Sequence, residues 1–374
     1  MDRVLEATVQ LQRFTFAARQ WQWRLARLAR RLAGRKRTTY VDERVAEYRA
    51  YWKSAARALG ATFEPLWDDI WEVREGARKT RLSNYLVQMD DPVTLRLAGN
   101  KPYCCAVAWR HGVPVAPHRI FRLRDIESGW DFMTSRPGPF VVKPATRSSS
   151  GLGITLHVRT RRQFVSAAAL ASLYSDELMV EAMVPAESCR LLYLDGELIH
   201  AVRRRGVRVT GDGRSSIAAL LARLGLQHLW QDPLTAYTLE AQRLSLGSTP
   251  GAGREIVARY LPAAEKMPRH ELRTVYNECI TSIVCPELAR ELLPVVREIG
   301  CRFAGVDVLT NDPAVPLTQS GGVFLEINTT PGIHHHYIGG EGPAVAVRVL
   351  RHLLEESCIE RRDRPFPAER RALS

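Results

Sequence analysis

Apolar positions in the first third of the chain recur at roughly helical spacing. Leu5, Val9, Leu11, Phe14, Trp21, Leu25, Leu28 and Leu32 are separated by arginines, a pattern that predicts an amphipathic helix with one buried stripe. "LAGRKRTTY" breaks it. A second helix is predicted from about Val41 to Leu59, with Gly60 placed as its cap. Near residue 95 the texture changes. "NKPYCCAVAWRHGVPVAPHRIF" reads as a helix ended at Gly112, a turn, and an edge strand carrying prolines. "FVVKPATRSSSGLGITLH" opens with β-formers, meets Lys143 and Pro144, softens into small residues, and returns to strand at Ile154. A helix near 161–173 and the strand "LMVEAMV" follow. Next comes a hairpin, "CRLLYLDGELIHAVRRR", whose Asp195-Gly196 pair signals a two-residue turn. "TGDGRSSIAALLARLG" is a turn feeding an N-capped helix, and residues 247–285 carry mixed signals. "LARELLPVVREIGCRFAGVDVL" is a helix then a buried strand, and "GGVFLEINTTPGI" is a strand ending in a loop. "PAVAVRVLRHLLEES" is a closing helix before a charged tail. No internal repeat occurs.

The 374 residues suit one large domain or two to three subdomains. No apolar run reaches the length of a membrane span. Arginines interrupt every apolar stretch near the start, so no secretory core is expected there. Seven cysteines without a CxxC argue against a disulfide framework or a zinc site. Buried thiols in a reducing cytoplasm are the expectation. Net charge is +13, and residues 1–40 hold ten Lys/Arg against two Asp/Glu, a local +8. Such an arm suits nucleic acid, an anionic surface or a solvated helix face. It lacks the interleaved glycines of an RNA binder, so packing on the body or in a homodimer is expected instead, and nucleic acid is not. Seven of the eight tryptophans precede residue 131 and are expected to pack these helices onto the body. Basic residues are 47 Arg and only 6 Lys, which makes the position of each lysine informative.

Chemistry gathers at strand ends. Asp307 lies in "FAGVDVL", and Glu326 and Asn328 in "FLEINTTPG" share one strand face because the side-chain period is two. An ionised carboxylate on an apolar strand is costly unless it meets a cation. Hard oxygen donors of this kind suit Mg²⁺ held between carboxylates and substrate phosphates. Lys143 can add positive charge, and the run Ser148, Ser149, Ser150, Gly151 and Gly153 can add hydroxyls and close-approaching N–H groups. Lys101 is a second well-placed lysine, at a helix start after Asn100. Neither a Walker A loop nor a dinucleotide fingerprint occurs.

Lys101, "VVKP…SSSGLGI", "VEAMVP…CRLLYLDGE", "AVRRR…VTGDGRSSIAALL", "GVDV" and "EINTTPGIHHH" appear in an order that resembles ATP-grasp carboxylate–amine ligases. The similarity is greatest to the glutathione-synthetase half of bifunctional glutathione synthases and to the ATP-grasp part of cyanophycin synthetases. It covers about residues 98–355. The resemblance implies an α/β (α+β) ATP-grasp fold with a small lid subdomain, about 120–185, and a larger C-terminal subdomain around a nucleotide cleft. It divides the chain into a basic helical arm (1–60), a segment before the ATP-grasp part (61–98), the ATP-grasp domain (99–355) and a charged tail (356–374).

The resemblance also implies roles. Lys101 and Lys143 hold ATP phosphates under a flap that includes Ser149, Ser150 and Gly151. Glu181 meets adenine through its backbone and Val184 through its N–H. Asp307, Glu326 and Asn328 bind two Mg²⁺, for which Mn²⁺ can substitute. Arg190 and Arg259 are phosphate- or substrate-facing arginines. Arg204, Arg205, His334 and His335 are expected on the substrate side. The family's ribose carboxylate stands seven residues after the hinge glutamate, where this chain has Ser188, so its neighbour Glu187 is expected at the ribose. The Ser/Thr-Gly-Gly loop of both relatives is absent from "LPAAEKMPRHELRTVYNECITS", so neither glutathione nor cyanophycin is inferred as product. The implied reaction joins an amino-acid or peptide carboxylate to an amine through an acyl phosphate. The alternatives are modification of a polypeptide or leader-bearing substrate, and a degenerate nucleotide-binding scaffold.

Overall fold

The computed structural model describes residues 17–18, 21–22, 24–25, 38–146, 153–204, 206–259, 277–337 and 342–363. The chain begins its described course with helix α1 (Thr38–Ala58), followed by a meander of β1 (Thr62–Trp67), β2 (Ile70–Glu75), β3 (Arg78–Ser83) and β4 (Leu86–Val87). Two helices come next, α2 (Pro92–Ala98) and α3 (Lys101–Arg110). A small antiparallel unit contains β5 (His118–Phe121), α4 (Ile126–Thr134), β6 (Phe140–Pro144), β7 (Thr155–Val158), α5 (Arg161–Ala171) and β8 (Leu178–Ala182), its strands ordered β5-β8-β6-β7.

The larger unit opens with the hairpin β9 (Ser188–Leu194) and β10 (Glu197–Arg204). Asp195 and Gly196 both adopt positive φ, 48° and 79°, the two-residue turn whose twist matches a hairpin. A two-stranded ribbon, β11 (Val207–Thr210) and β12 (Glu255–Arg259), carries α6 (Ile217–Arg223) and α7 (Pro233–Ala241) between its strands. Then come β13 (Glu278–Cys279), α8 (Pro286–Ile299), β14 (Phe303–Leu309), α9 (Leu317–Ser320), β15 (Val323–Thr329) and α10 (Gly342–Asp363). The main sheet has the order β13-β10-β9-β14-β15.

Both faces of that sheet are covered. Leu191 and Tyr193 of β9 pack with Val107 and Ala108 of α3 and with Leu292 and Val296 of α8. Leu192 and Leu194, pointing the other way, pack with Tyr48 and Trp52 of α1 and with Val349, Leu350 and Leu353 of α10. The alternation follows from the two-residue period of a strand buried on both sides. Four cysteines, Cys104, Cys105, Cys189 and Cys301, are buried and free. Burial pushes three of these thiols up to about 12 and Cys105 to about 11, which leaves them unreactive. Among the described residues no helix is long and apolar enough to cross a membrane.

Three expectations are corrected. Residues 38–58 are not part of an appended arm: Tyr48, Trp52, Ala55 and Ala56 sit in the core with Phe303 and α10, so the division at 60 cuts through packing. The closing helix runs to Asp363, so the division at 355 falls inside it. The tryptophans split: Trp52 and Trp71 are buried, whereas Trp67 and Trp109 are 79% and 71% exposed. The expected flap, with Ser149, Ser150 and Gly151, lies outside the described residues, as do Arg205, residues 260–276 and residues 364–374.

Candidate functional site

The site is the polar continuation of the sheet face that α1 and α10 cover. Register places Asp307 of β14 opposite Arg190 of β9 on one side and opposite Glu326 of β15 on the other. Cross-strand partners share a face, so the three side chains meet. Asn328, two residues beyond Glu326, joins them. Arg190 grips Asp307 with a fork: Nε donates to Oδ1 at 2.7 Å and Nη2 to Oδ2 at 2.7 Å. Asn328 Nδ2 donates to Asp307 Oδ2 at 3.0 Å. Arg204, at the end of β10, adds two longer contacts of 3.4 Å to the same carboxylate. Gly305 makes room for this. A Cβ there would lie 2.9 Å from Pro331 Cβ and 3.5 Å from Arg190 Cδ.

Two lysines complete the cluster. Asn100 caps α3 by accepting from Tyr103 N at 3.1 Å, which starts the helix at Lys101 and aims its ammonium at Glu326 Oε2, 3.2 Å away. Lys143, on the fully buried strand β6, reaches Glu181 Oε1 on β8 at 2.7 Å. The two pairs share one field, since Cys105 feels Lys143, Glu181, Glu326 and Lys101 together. Burial opposes the Lys143 charge, but Glu181 outweighs it and raises the ammonium above its ordinary value. Burial likewise pushes Glu326 up, yet Lys101, with Lys143 and Arg190 farther off, holds it below the usual carboxylate range.

The remaining expected residues are placed as follows. Glu181 sits on the central strand of the small sheet, with His118 and Val141 as its neighbours; its contact with the cluster is through the carboxylate. Val184 lies in the connection to β9, its carbonyl accepting from Ala186 N at 2.9 Å. Glu187 meets Arg203 and Arg208, each at 3.3 Å, beside Ser188 at the start of β9. Arg259 is not brought to Asp307; its Nε donates to Asp232 Oδ2 at 2.9 Å, the carboxylate that caps α7. His334 and His335 stand in a tight turn after β15, their rings 3.9 Å apart. His335 is buried, and His334 is half-buried with Nδ1 2.7 Å from the Tyr48 hydroxyl. His336 Nδ1 lies 2.9 Å from His200 Nδ1. Burial, then His200, Arg190 and Arg204, hold the His336 imidazole far below its ordinary value, so it is neutral.

Tyr48, Arg203 and Arg208 were not singled out from the sequence. Tyr48 and His334 are 286 positions apart, and no local pattern announces such a pair. The two arginines carried only a weak signal, their place in and just after the run "AVRRR".

Does the set fit a divalent cation? The donor types do: two carboxylates and an amide on adjacent strands, hard oxygens beside two lysines. Glu326 is partly open. Asp307 is 3% exposed, and its oxygens are engaged by Arg190, Arg204 and Asn328. A cation at Asp307 therefore requires some of those donors to yield.

No family model matches the chain. A cyanophycin synthetase of Trichormus variabilis is 26% identical over 280 residues, covering 71% of this chain and 30% of that protein. The glutathione biosynthesis bifunctional protein GshAB of Streptococcus mutans is 24% identical over 315 residues, covering 79% of this chain and 39% of that protein. Among solved structures, a bifunctional glutathione synthetase from Pasteurella multocida superposes with a TM-score of 0.54 at 20% identity, covering 81% of this chain and 44% of that one. The chain thus spans under half the length of these relatives. The likeness shows the ATP-grasp fold, and the two groups of relatives are those the sequence motifs resemble.

Proposed function

We propose that this chain, with its ATP-grasp fold, is an ATP-dependent carboxylate–amine ligase. One observation carries the reading: Lys101 pairs with Glu326 beside the Asp307, Asn328 and buried Arg190 cluster, and Lys143, another of only six lysines, is buried against Glu181 near enough for its charge to act on Glu326. Burying so much charge is expensive, and a polyanion with its metal is a ligand that uses all of it.

In this reading Lys101 and Lys143 hold the ATP phosphates. Glu326, Asp307 and Asn328 hold Mg²⁺, two ions as the resemblance of the motifs implies. When bound, the metal offsets charge on the transferring phosphoryl group. Arg190 fixes the Asp307 carboxylate, and Glu187 stands toward the ribose. A substrate carboxylate takes the γ-phosphoryl group to give an acyl phosphate. An amine then displaces phosphate and leaves an amide, ADP and Pi. The protein's part is positioning and electrostatic stabilisation, together with keeping water from the acyl phosphate when the site closes. The acid and amine are amino acids or small peptides.

The test is ADP release from MgATP with pairwise mixtures of amino acids and dipeptides, followed by mass analysis for a condensed product. ADP and a product lighter than its parts by one water support the ligase. Tight MgATP binding with no ADP release in any mixture, polypeptide acceptors included, supports the scaffold instead.

A further inference from the structure

We infer that Arg204 is a displaceable counter-cation of Asp307, one that keeps a free divalent ion out of the site and yields when a nucleoside triphosphate brings the ion in. The inference rests on the ligase reading above.

The two arginines on Asp307 are not equivalent. Arg190 stands in the middle of β9, in register with Asp307, 1% exposed, with both contacts at 2.7 Å. It is built in. Arg204 is the last residue of β10, its side chain is 9% exposed, and its contacts are 3.4 Å. Its hold on Asp307 is the looser of the two. Among the described residues, Arg190, Arg204 and Asn328 give Asp307 at least five N–H contacts. A carboxylate has about four lone-pair sites, so none remains for a metal while all five stand. Arg204 makes the weakest two and is the one to leave.

Charge points the same way. Among the described residues, Lys101, Lys143, Arg190 and Arg204 make ion pairs with Glu181, Asp307 and Glu326, four cations against three carboxylates. A cluster with net charge +1 repels a bare divalent ion and attracts a polyphosphate. A guanidinium suits the exchange, because its planar fork fits a carboxylate and a phosphate alike. The order is therefore nucleotide with metal, then transfer of Arg204 from Asp307 to the phosphate oxygens.

The probe is Mn²⁺, followed by the loss of its free-ion electron paramagnetic resonance signal. It is titrated into the full chain with and without a non-hydrolysable ATP analogue, and folding of each variant is checked by thermal melting. Wild type should take up Mn²⁺ only with the analogue. Arg204→Ala should take up Mn²⁺ alone, with affinity raised at least about tenfold by removal of one nearby charge. Arg204→Lys, which keeps the charge, should behave like wild type, and Arg204→Gln serves if the alanine variant does not fold. Equal uptake by wild type with and without the analogue overturns the exchange, as does an unchanged Arg204→Ala or Arg204→Gln. If wild type binds neither the analogue nor Mn²⁺, the ligase reading itself fails and the exchange falls with it.

Discussion

Lys143 and Glu181 give the sharpest separation of folding from function. Their side chains are 8% and 10% exposed, and Nζ lies 2.7 Å from Oε1. At an effective dielectric constant near 20 the attraction is roughly 6 kcal/mol before desolvation is subtracted. Removing one partner leaves the other charge buried, which costs about 3–5 kcal/mol; replacing both with apolar groups is often neutral or better. Lys143→Met should therefore destabilise the protein by about 3–5 kcal/mol, and Lys143→Met with Glu181→Leu should recover most of that loss. Because the Lys143 ammonium is raised above its ordinary value, its contribution is present at neutral pH and is lost only as pH rises through the raised value. Urea unfolding at neutral pH thus measures it whole. Calorimetry with an ATP analogue and Mg²⁺ supplies the second axis: both the single and the double variant should lose nucleotide affinity. A double variant that is stable and binds nucleotide like wild type would refute the phosphate role of Lys143. A single variant as stable as wild type would refute the buried pair.

The other outcomes are more compact. Glu326→Gln should keep the fold but abolish ADP release, since it removes charge where phosphate and metal need it; undiminished release removes the metal assignment. Trp52→Ala should cost about 3–5 kcal/mol in chemical denaturation. A chain begun at Thr39 should fold, whereas one begun at Ala61 should not, because Tyr48 and Trp52 belong to the main core. Below about pH 6.5, the unfolded imidazole takes up a proton that the buried His336 refuses. Stability should fall as pH drops from there toward the depressed folded value, with no slope from this group above it. His336→Gln should flatten that stretch of the stability profile, and an unchanged slope would show that His336 does not set it.

The parts of the fold that could be read from the sequence are those encoded locally. Asp195-Gly196 announced its hairpin, "TGDGRSSI" its capped helix, and "GVDV" and "EIN" their apolar strands with oxygen donors, because each signal spans a few residues. Rarity made Lys101 and Lys143 visible, and both reach carboxylates of the cluster. The meander at 62–87 was missed although Trp71, Val73, Thr80 and Leu82 show the right alternation, since charged residues on the open face and short strands dilute the pattern. For α1, packing on the body or in a homodimer was expected, and the choice between them was left open. Its buried stripe looks the same whether it meets a partner copy or the chain's own α10, and only tertiary contact distinguishes the two. Arg190 was placed near the chemistry by resemblance. Its fork on Asp307 depends on the register between β9 and β14, strands 117 positions apart at that pair, which no local pattern states.

The reaction is tested most directly with a carboxylate substrate labelled with ¹⁸O in both oxygens, taken from the ADP-release screen, with the released phosphate analysed by mass spectrometry. An acyl phosphate requires one labelled oxygen to leave with phosphate while the amide keeps the other. Phosphate carrying one ¹⁸O, with ADP as the nucleotide product, is the result expected here. Unlabelled phosphate, or AMP in place of ADP, would contradict it.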